Sequence, residues 1–116
     1  MPILMHNHRP VSRIEIADTW AMRARGMLWR RELPEALLLR PCSSVHGAGM
    51  RVPLDVAFVD RDGRVLETLV LHPWAMTRPR RMAESVLEAP TGSFARWGLE
   101  AGSVIRIADD DGARAP

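Results

Sequence analysis

Two apolar runs rich in β-branched residues, at residues 52–59 and 65–71, flank a short polar segment. Such a pair of runs predicts a β-hairpin. A three-residue loop that holds Gly63 in the left-handed conformation pairs Asp60 with Arg64. A two-residue loop of Asp62 and Gly63 would set Phe58 opposite Glu67 and disturb the apolar face, because a slip of one residue moves every side chain to the other face. We therefore predict the three-residue loop.

The predicted register sorts the side chains of this hairpin between two faces. Phe58 is expected opposite Leu66. One face then carries the large apolar residues Leu54, Val56, Phe58, Leu66 and Val70. On the other face Asp55 and Glu67 become diagonal neighbours in an otherwise apolar setting.

Asp55 interrupts an apolar strand, and an ionised carboxylate in apolar surroundings requires a partner. Candidate partners in the sequence are Arg40, Arg51 and His46. One hypothesis is that Asp55, Glu67 and one of these arginines together form a site that binds a polar ligand. The alternative is a structural role, either in a buried ion pair or in accepting backbone N–H bonds at the start of the strand.

The N-terminal half of the chain has weaker patterns. Alternation predicts a strand over residues 11–17, with two isoleucines directed inward, Ile14 and Ile16. Asp18 is placed to cap a short helix over residues 19–25, and Gly26 suits the end of that helix. The residues expected to dock the helix against the core are Trp20, Met27 and Leu28.

Further short strands are predicted over residues 36–40, 86–89 and 103–108, and a second short helix runs to Trp97 before Gly98. With the hairpin, this amounts to about six strands and two helices. We predict an α+β, mainly β fold, namely a small barrel-like or strongly curved antiparallel sheet with two short helices.

The chain has 116 residues, which is the length of one domain. We expect a compact β-rich domain over residues 11–108, with loosely ordered ends at residues 1–10 and 109–116. No apolar run reaches the ~20 residues of a membrane span, and the first residues lack the apolar stretch of a secretory signal. Together with a single Cys, which agrees with a reducing compartment, these features predict a cytoplasmic protein.

The sixteen Lys or Arg residues are all arginine, and fourteen acidic residues nearly balance them to a net charge of +2. The arginines form two groups, Arg23, Arg25, Arg30 and Arg31, and Arg78, Arg80 and Arg81. An Arg-rich module that binds nucleic acid is therefore one hypothesis. The balanced total charge favours a solvated surface instead, so we do not expect a nucleic-acid partner.

Cys42 and His46 form the most reactive-looking stretch. A Cys paired with a His can act as a nucleophile. In an extended strand the two would be ~13 Å apart, at ~3.3 Å per residue, so they meet only if Ser43 and Ser44 turn the chain. The alternatives are a ligand contact, or a gap-filling Cys with the His bonded to backbone. No second metal-ligand spacing accompanies them, and we predict neither a metal nor a cofactor.

Four segments resemble the motifs of one family. The first covers residues 17–28, ADTWAMRARGML, and resembles a strand and short helix that lead into a Gly-Leu-Met-like segment. The second covers residues 50–60, MRVPLDVAFVD, and resembles a Pro-Leu-Asp core. Residues 86–92, VLEAPTG, and 98–102, GLEAG, are similar to a Val-Leu-Glu-x-x-x-Gly motif and a glycine turn. The family is the prokaryotic "domain of unknown function one hundred and ninety-two".

This resemblance implies a single β-rich domain and no established activity, substrate or cofactor. Many members of the family carry a secretory signal or a lipoprotein leader. The chain departs from the family pattern at Ser103, where the usual turn has Asp, and at Gly49, where a Trp usually precedes Met50.

The sequence thus predicts a small non-catalytic binding or accessory domain, whose partner is an unidentified small molecule or protein. Its polar site would lie at residues 42–50, with Asp55 and a neighbouring arginine. The alternative is an enzyme that uses Cys42 and His46 on a small thiol or acyl substrate. The lack of a complete catalytic set favours the binding domain.

Overall fold

A computed structural model of the protein describes residues 1–27 and 32–109. Within these residues the chain forms eight strands and two short helices. In chain order they are β1 (Pro2–His6), β2 (Arg9–Arg13), β3 (Glu15–Ala17), α1 (Trp20–Arg25), β4 (Leu37–Leu39), β5 (Leu54–Val59), β6 (Val65–Leu71), β7 (Ser85–Pro90), α2 (Ser93–Trp97) and β8 (Ile105–Asp109). The expected docking residue Leu28, the basic residues Arg30 and Arg31, and the tail from residue 110 lie outside the described residues.

The strands form two sheets in the described part of the chain. The smaller sheet has the strand order β2-β1-β8, and the larger has the order β3-β4-β7-β5-β6. Paired strands are antiparallel except β3 and β4, which are parallel. The mainly β class with two short helices is confirmed. No closed barrel is found among residues 1–27 and 32–109, so the barrel-like arrangement stays a prediction.

The N-terminal segment forms a strand, although we expected residues 1–10 to be loosely ordered. β1 is the central strand of the smaller sheet. Ile3 pairs with Arg13 on one side and with Ala108 on the other, and Leu4 is fully buried. Pairing with β8 at the far end of the chain orders this segment, and the local pattern carries no sign of that distant partner.

The strand predicted over residues 11–17 is divided into β2 and β3. Ile14 lies at the break, where its N–H donates to the Pro2 carbonyl at 3.2 Å. Ile14 is buried as predicted, and Ile16 is partly buried. The break therefore lets the chain leave the smaller sheet and enter the larger one.

The first helix is close to its predicted bounds, but a different residue caps it and its predicted docking by Trp20 does not occur. The Thr19 hydroxyl accepts the Met22 N–H at 3.2 Å, so Thr19 caps α1 in place of Asp18. Trp20 is 77% exposed and α1 has no buried residue, which makes the expected docking by Trp20 wrong. Met27, just after the helix, is the docking residue that enters the core. A pattern of six residues is too short to define which side of a helix is buried.

The β5–β6 hairpin has the three-residue loop that we predicted. The Asp60 N–H donates to the Arg64 carbonyl at 2.9 Å, and Gly63 has a φ of 87°. The start of β8 also holds the loop, because the Ile105 N–H donates to the Gly63 carbonyl at 2.8 Å. A Cβ atom at Gly63 would clash with the Ile105 carbonyl oxygen, so glycine is required here for its φ and for this close approach.

The register beyond the loop differs from the prediction by one residue. The pairing is irregular next to the loop, and Leu66 becomes an extra residue on β6, so Phe58 lies opposite Glu67. Leu66 and Val70 are 36% and 44% exposed instead of sharing the face of Phe58. The bulge places Glu67 on that face. Asp55 is on the opposite face, so the two carboxylates are not the neighbours we expected.

The larger sheet packs against apolar residues on both faces. One buried cluster includes Leu4, Ala57, Val59, Leu87, Ala89 and Ile105. The other includes Met27, Leu39, Leu54, Val56, Phe58 and Val86. Because successive residues alternate between these clusters, β5 is buried along its whole length. No described helix is long and apolar enough to cross a membrane.

Candidate functional site

Residues 42–50 form a loop that is held by a second segment of the chain. The Gly47 N–H donates to the Ala75 carbonyl at 2.7 Å, and the Trp74 N–H donates to the Gly47 carbonyl at 2.8 Å. Nearby, the Thr77 N–H donates to the Val45 carbonyl at 2.9 Å. The loop is therefore fixed by backbone hydrogen bonds of the kind that join strands.

Gly47 makes this close pairing possible. A Cβ atom at this position would lie 2.5 Å from the His72 carbonyl oxygen and 3.1 Å from the Trp74 nitrogen. Both neighbours are backbone atoms, so they can move away only if the pairing itself is disturbed. The glycine is therefore required by the packing of the loop.

The loop, the end of α1 and β7 line a small open cavity of about 70 Å³, which we call the loop pocket. Arg23 lines it from α1, Cys42, His46 and Met50 line it from the loop, and Glu88 lines it from β7. A water molecule occupies about 30 Å³ of the liquid. The loop pocket therefore has room for one small chemical group.

Cys42 and His46 both line the loop pocket, but they do not bond to each other. The Cys42 thiol donates to the Ser44 carbonyl at 3.1 Å, and the His46 Nδ1 accepts the Ala48 N–H at 3.3 Å. Burial raises the pKa of the Cys42 thiol, and the negative charge of Glu88 raises it further. The thiolate that a nucleophilic Cys requires is therefore disfavoured.

Glu88 is a residue of the loop pocket that reasoning from the sequence missed. It is 4% exposed on β7 and lies close enough to Cys42 for its charge to raise the pKa of the thiol, while Arg23 acts in the opposite direction. The available signal was a charged residue inside a short apolar strand. That is the same signal that drew attention to Asp55.

Asp55 lies on the other face of the sheet and bonds to α2. Its Oδ2 accepts the backbone N–H groups of Gly92 and Phe94, both at 3.0 Å. Gly92 is the N-cap residue of α2 and makes no side-chain cap, so Asp55 supplies the cap from β5. The partners of this carboxylate are thus backbone donors, not the arginines or the histidine considered above.

Glu67 occupies a third location, beside Phe58. Arg80 binds it through two hydrogen bonds, from Nε to Oε1 at 2.9 Å and from Nη2 to Oε2 at 3.0 Å. The guanidinium carbon of Arg80 lies 4.6 Å from the centre of the Phe58 ring. Hydrogen bonding to Arg80 holds the pKa of Glu67 below its usual value. Glu67 therefore forms a surface ion pair and does not line the loop pocket.

The arginines predicted for the site do not line the loop pocket. Arg40 and Arg51 are exposed, and the loop pocket holds Arg23 instead. The Nη1 of Arg23 donates to the carbonyls of Asp18 and Arg40 at 3.0 and 3.3 Å. Arg23 and Arg80, one from each arginine group, are thus engaged with other parts of the chain.

The loop pocket does not present a metal-ligand set. Within residues 1–27 and 32–109, no three side chains of His, Cys, Asp or Glu converge as they would around a metal ion. Cys42, His46 and Glu88 therefore share one pocket without the close convergence that coordination requires.

The fold and the site define a small two-sheet domain with a half-buried thiol and a buried carboxylate at one loop pocket. The chain belongs to the DUF192 family, described as "Uncharacterized ACR", whose model matches residues 3–107. The resemblance noted from the four motifs is thereby confirmed. The UPF0127 protein of Pyrococcus furiosus is 32% identical over 97 residues, covering 78% of this chain and 84% of that protein. The UPF0127 protein of Pyrococcus abyssi is 31% identical over 98 residues, covering 80% and 84%.

Two solved structures have the same fold. A protein of unknown function from Novosphingobium aromaticivorans has a TM-score of 0.73 and 24% identity, covering 90% of this chain and 82% of that one. A putative transcription regulator from Sinorhizobium meliloti has a TM-score of 0.75 and 22% identity, covering 90% of both chains. At these identities the likeness concerns the fold alone.

Proposed function

We propose that the protein is a non-catalytic binding domain whose loop pocket receives a small polar group of a small molecule or a partner protein. The observation that carries this proposal is Glu88, a buried carboxylate in the wall of the same pocket as Cys42 and His46. Burying a charged group costs free energy that a more apolar side chain would avoid. A few polar groups converging on a concave site are typical of ligand recognition.

The state of Cys42 supports binding over catalysis. Its thiol donates to a carbonyl and has a raised pKa, and it makes no hydrogen bond to His46. A Cys nucleophile requires the opposite arrangement, in which a base or positive surroundings favour the thiolate. We therefore assign Cys42 a contact role in the wall of the pocket, and Asp55 a structural role at α2.

The lining of the loop pocket also suggests what kind of group it receives. Glu88 accepts hydrogen bonds, whereas Arg23 can only donate them. A cation or an anion would meet one favourable charge and one unfavourable charge. A primary amide donates and accepts through neighbouring atoms and carries no net charge, so it avoids the unfavourable contact and has the size that the cavity allows.

A titration of the isotopically labelled protein with acetamide, methylammonium and acetate tests this function. Acetamide should shift the amide signals of residues 42–50 in a saturable way, with an affinity in the millimolar range that is typical of so small a ligand. Glu88→Gln should weaken this binding several-fold, and the matched control Glu67→Gln should leave it unchanged. Acetamide shifts that do not saturate, or that are equal in both variants, would show that the pocket is not the binding site.

A further inference from the structure

A second concave site lies between the β1–β2 hairpin and α2. This groove has a volume of about 450 Å³ and is lined by His6, Asn7, Arg9, Arg96 and Trp97 among others. It shares no lining residue with the loop pocket. We call it the hairpin groove. Its volume is within the usual range for sites that bind small molecules.

The two arginines that line the hairpin groove give it a positive charge. Arg9 and Arg96 are both exposed at it, and no carboxylate side chain lines it among the described residues. One nitrogen of Arg96 donates to the Ser93 hydroxyl at 3.2 Å, which leaves the other N–H groups of its guanidinium for a ligand. Two guanidinium groups in a groove that no described carboxylate lines favour an anion, to which each can donate two parallel hydrogen bonds.

The floor of the groove is held by a buried polar network. His6 is 8% exposed, with Nδ1 3.0 Å from the Trp97 carbonyl and Nε2 2.9 Å from the Ser103 hydroxyl. In the neutral ring, Nδ1 donates to the carbonyl and Nε2 accepts from Ser103. The Ser103 oxygen accepts the Glu100 N–H at 3.0 Å. This network ties the hairpin to the end of α2.

The turn between β1 and β2 is also held in place by hydrogen bonds to the rest of the domain. The Asn7 N–H donates to the Val104 carbonyl, and the Val104 N–H donates to Asn7 Oδ1, both at 2.9 Å. Asn7 and His8 have φ values of 48° and 72°, which a two-residue turn of this kind requires. Arg9 follows this turn directly, so its backbone position is set before any ligand arrives. A preformed site loses less free energy to ordering when it binds.

Trp97 adds a flat apolar surface to these charges. It is half-buried, and its ring packs against Phe94 with 5.9 Å between the ring centres. An indole that lines the same groove as two guanidinium groups can stack on a planar ring whose anionic group the guanidinium groups bind. We propose that the hairpin groove binds a small planar anion, an aromatic or heteroaromatic ring that carries a phosphate or a carboxylate.

Calorimetric titration of the full chain at low ionic strength tests this proposal with four probes. AMP carries a planar ring and a phosphate, nicotinate a planar ring and a carboxylate, adenosine a planar ring without an anionic group, and inorganic phosphate an anion without a ring. AMP or nicotinate should bind at least about tenfold more tightly than adenosine, which lacks the charged hydrogen bonds. The preference over inorganic phosphate, which lacks the stacked ring, should be of similar size. Preference for AMP identifies a phosphate ligand, and preference for nicotinate a carboxylate ligand.

Two variants locate the binding. Arg9→Gln and Arg96→Gln should each weaken binding about tenfold or more, whereas Arg78→Gln, an equal change of charge at an exposed arginine outside the groove, should not. Glu88→Gln should leave this binding unchanged, which separates it from the proposed function of the loop pocket. Equal loss in Arg78→Gln, or no preference for the planar anions over adenosine and phosphate, would overturn the proposal.

Discussion

Asp55 and Glu88 are buried carboxylates on adjacent strands of one sheet, and their surroundings differ. Asp55 pairs with Ala89 and Glu88 pairs with Val56, so the two side chains are on opposite faces. Asp55 accepts backbone N–H groups at the start of α2. Glu88 lines the loop pocket beside Cys42.

The comparison shows why a charged residue inside an apolar strand is an ambiguous signal. Both carboxylates interrupt short apolar runs, and nothing in either run says what the side chain will meet. The kind of partner makes the difference, since Asp55 completes the fold by capping a helix, whereas Glu88 lies at a cavity. Unfolding experiments should therefore respond most to Asp55, and the chemistry of the Cys42 thiol should respond to Glu88.

The largest effect is expected from Asp55→Ala. This change leaves two N–H groups at the start of α2 without their acceptor, so the free energy of unfolding should fall by about 2–4 kcal/mol, as expected for buried donors left unsatisfied. Chemical denaturation measures the change. Asp62→Ala, at an exposed residue, is the control and should change stability by less than about 0.5 kcal/mol. Equal stability of the two variants would show that Asp55 is not structural.

A somewhat smaller loss is expected from Gly47→Ala. The added Cβ would lie 2.5 Å from the His72 carbonyl oxygen, and overpacking of this kind typically costs roughly 1–3 kcal/mol. Denaturation measures the loss, and amide spectra should show changes concentrated in residues 42–50 and 72–77. Ala48→Ser, at the next residue, should leave both nearly unchanged. A fully stable Gly47→Ala variant would contradict the rigid pairing of the loop.

The pKa of the Cys42 thiol should move in opposite directions in two variants. Glu88→Gln removes a negative charge that raises this pKa, so the pKa should fall and alkylation at neutral pH should become faster. Arg23→Gln removes a positive charge that lowers it, so the pKa should rise and alkylation should slow. The dependence of the iodoacetamide rate on pH measures both. A shift in the same direction in both variants would refute this arrangement of charges around the thiol.

The smallest effect is expected at the surface pair of Glu67 and Arg80. Arg80 depresses the pKa of Glu67 in the folded protein, so the pair stabilises the fold above the unfolded pKa of about 4.3. That contribution is lost as the pH falls through the folded pKa. Glu67→Gln should therefore be slightly less stable than the parent protein at neutral pH and equally stable in acid. A constant difference between their denaturation midpoints across this range would contradict the ion pair.

The hairpin shows how far the sequence could predict the fold. The loop followed from local chemistry, because Gly63 suits a left-handed position between two apolar runs. The bulge at Leu66 did not, because the start of β6 also bonds to a distant segment, with the Val65 N–H donating to the Ser103 carbonyl at 2.8 Å. A pairing of that kind depends on the tertiary arrangement and leaves no local trace.

The candidate site, like the hairpin, could be predicted only in part. Cys42 and His46 were found from their residue types, and both line the loop pocket. Glu88 and Arg23 were missed because they come from β7 and α1, and the order of strands in the larger sheet decides that they meet the loop. For Asp55, the structure shows the alternative of accepting backbone N–H groups, although they belong to the start of α2 and not to the start of the strand. The sequence could not choose between this and the charged partners, since backbone amides carry no sequence signature.

The pairing of β1 with β8 has a consequence for biosynthesis. Pro2 pairs with Asp109 and His6 with Ile105, so the strand of this domain that is synthesised first pairs with the one that is synthesised last. The strands of the larger sheet all precede β8 and can assemble while translation continues. The smaller sheet can close only after residue 109 has emerged, and until then β1 keeps one open edge that invites pairing with other chains. Truncation before β8 should therefore yield an aggregating fragment and not a smaller stable domain.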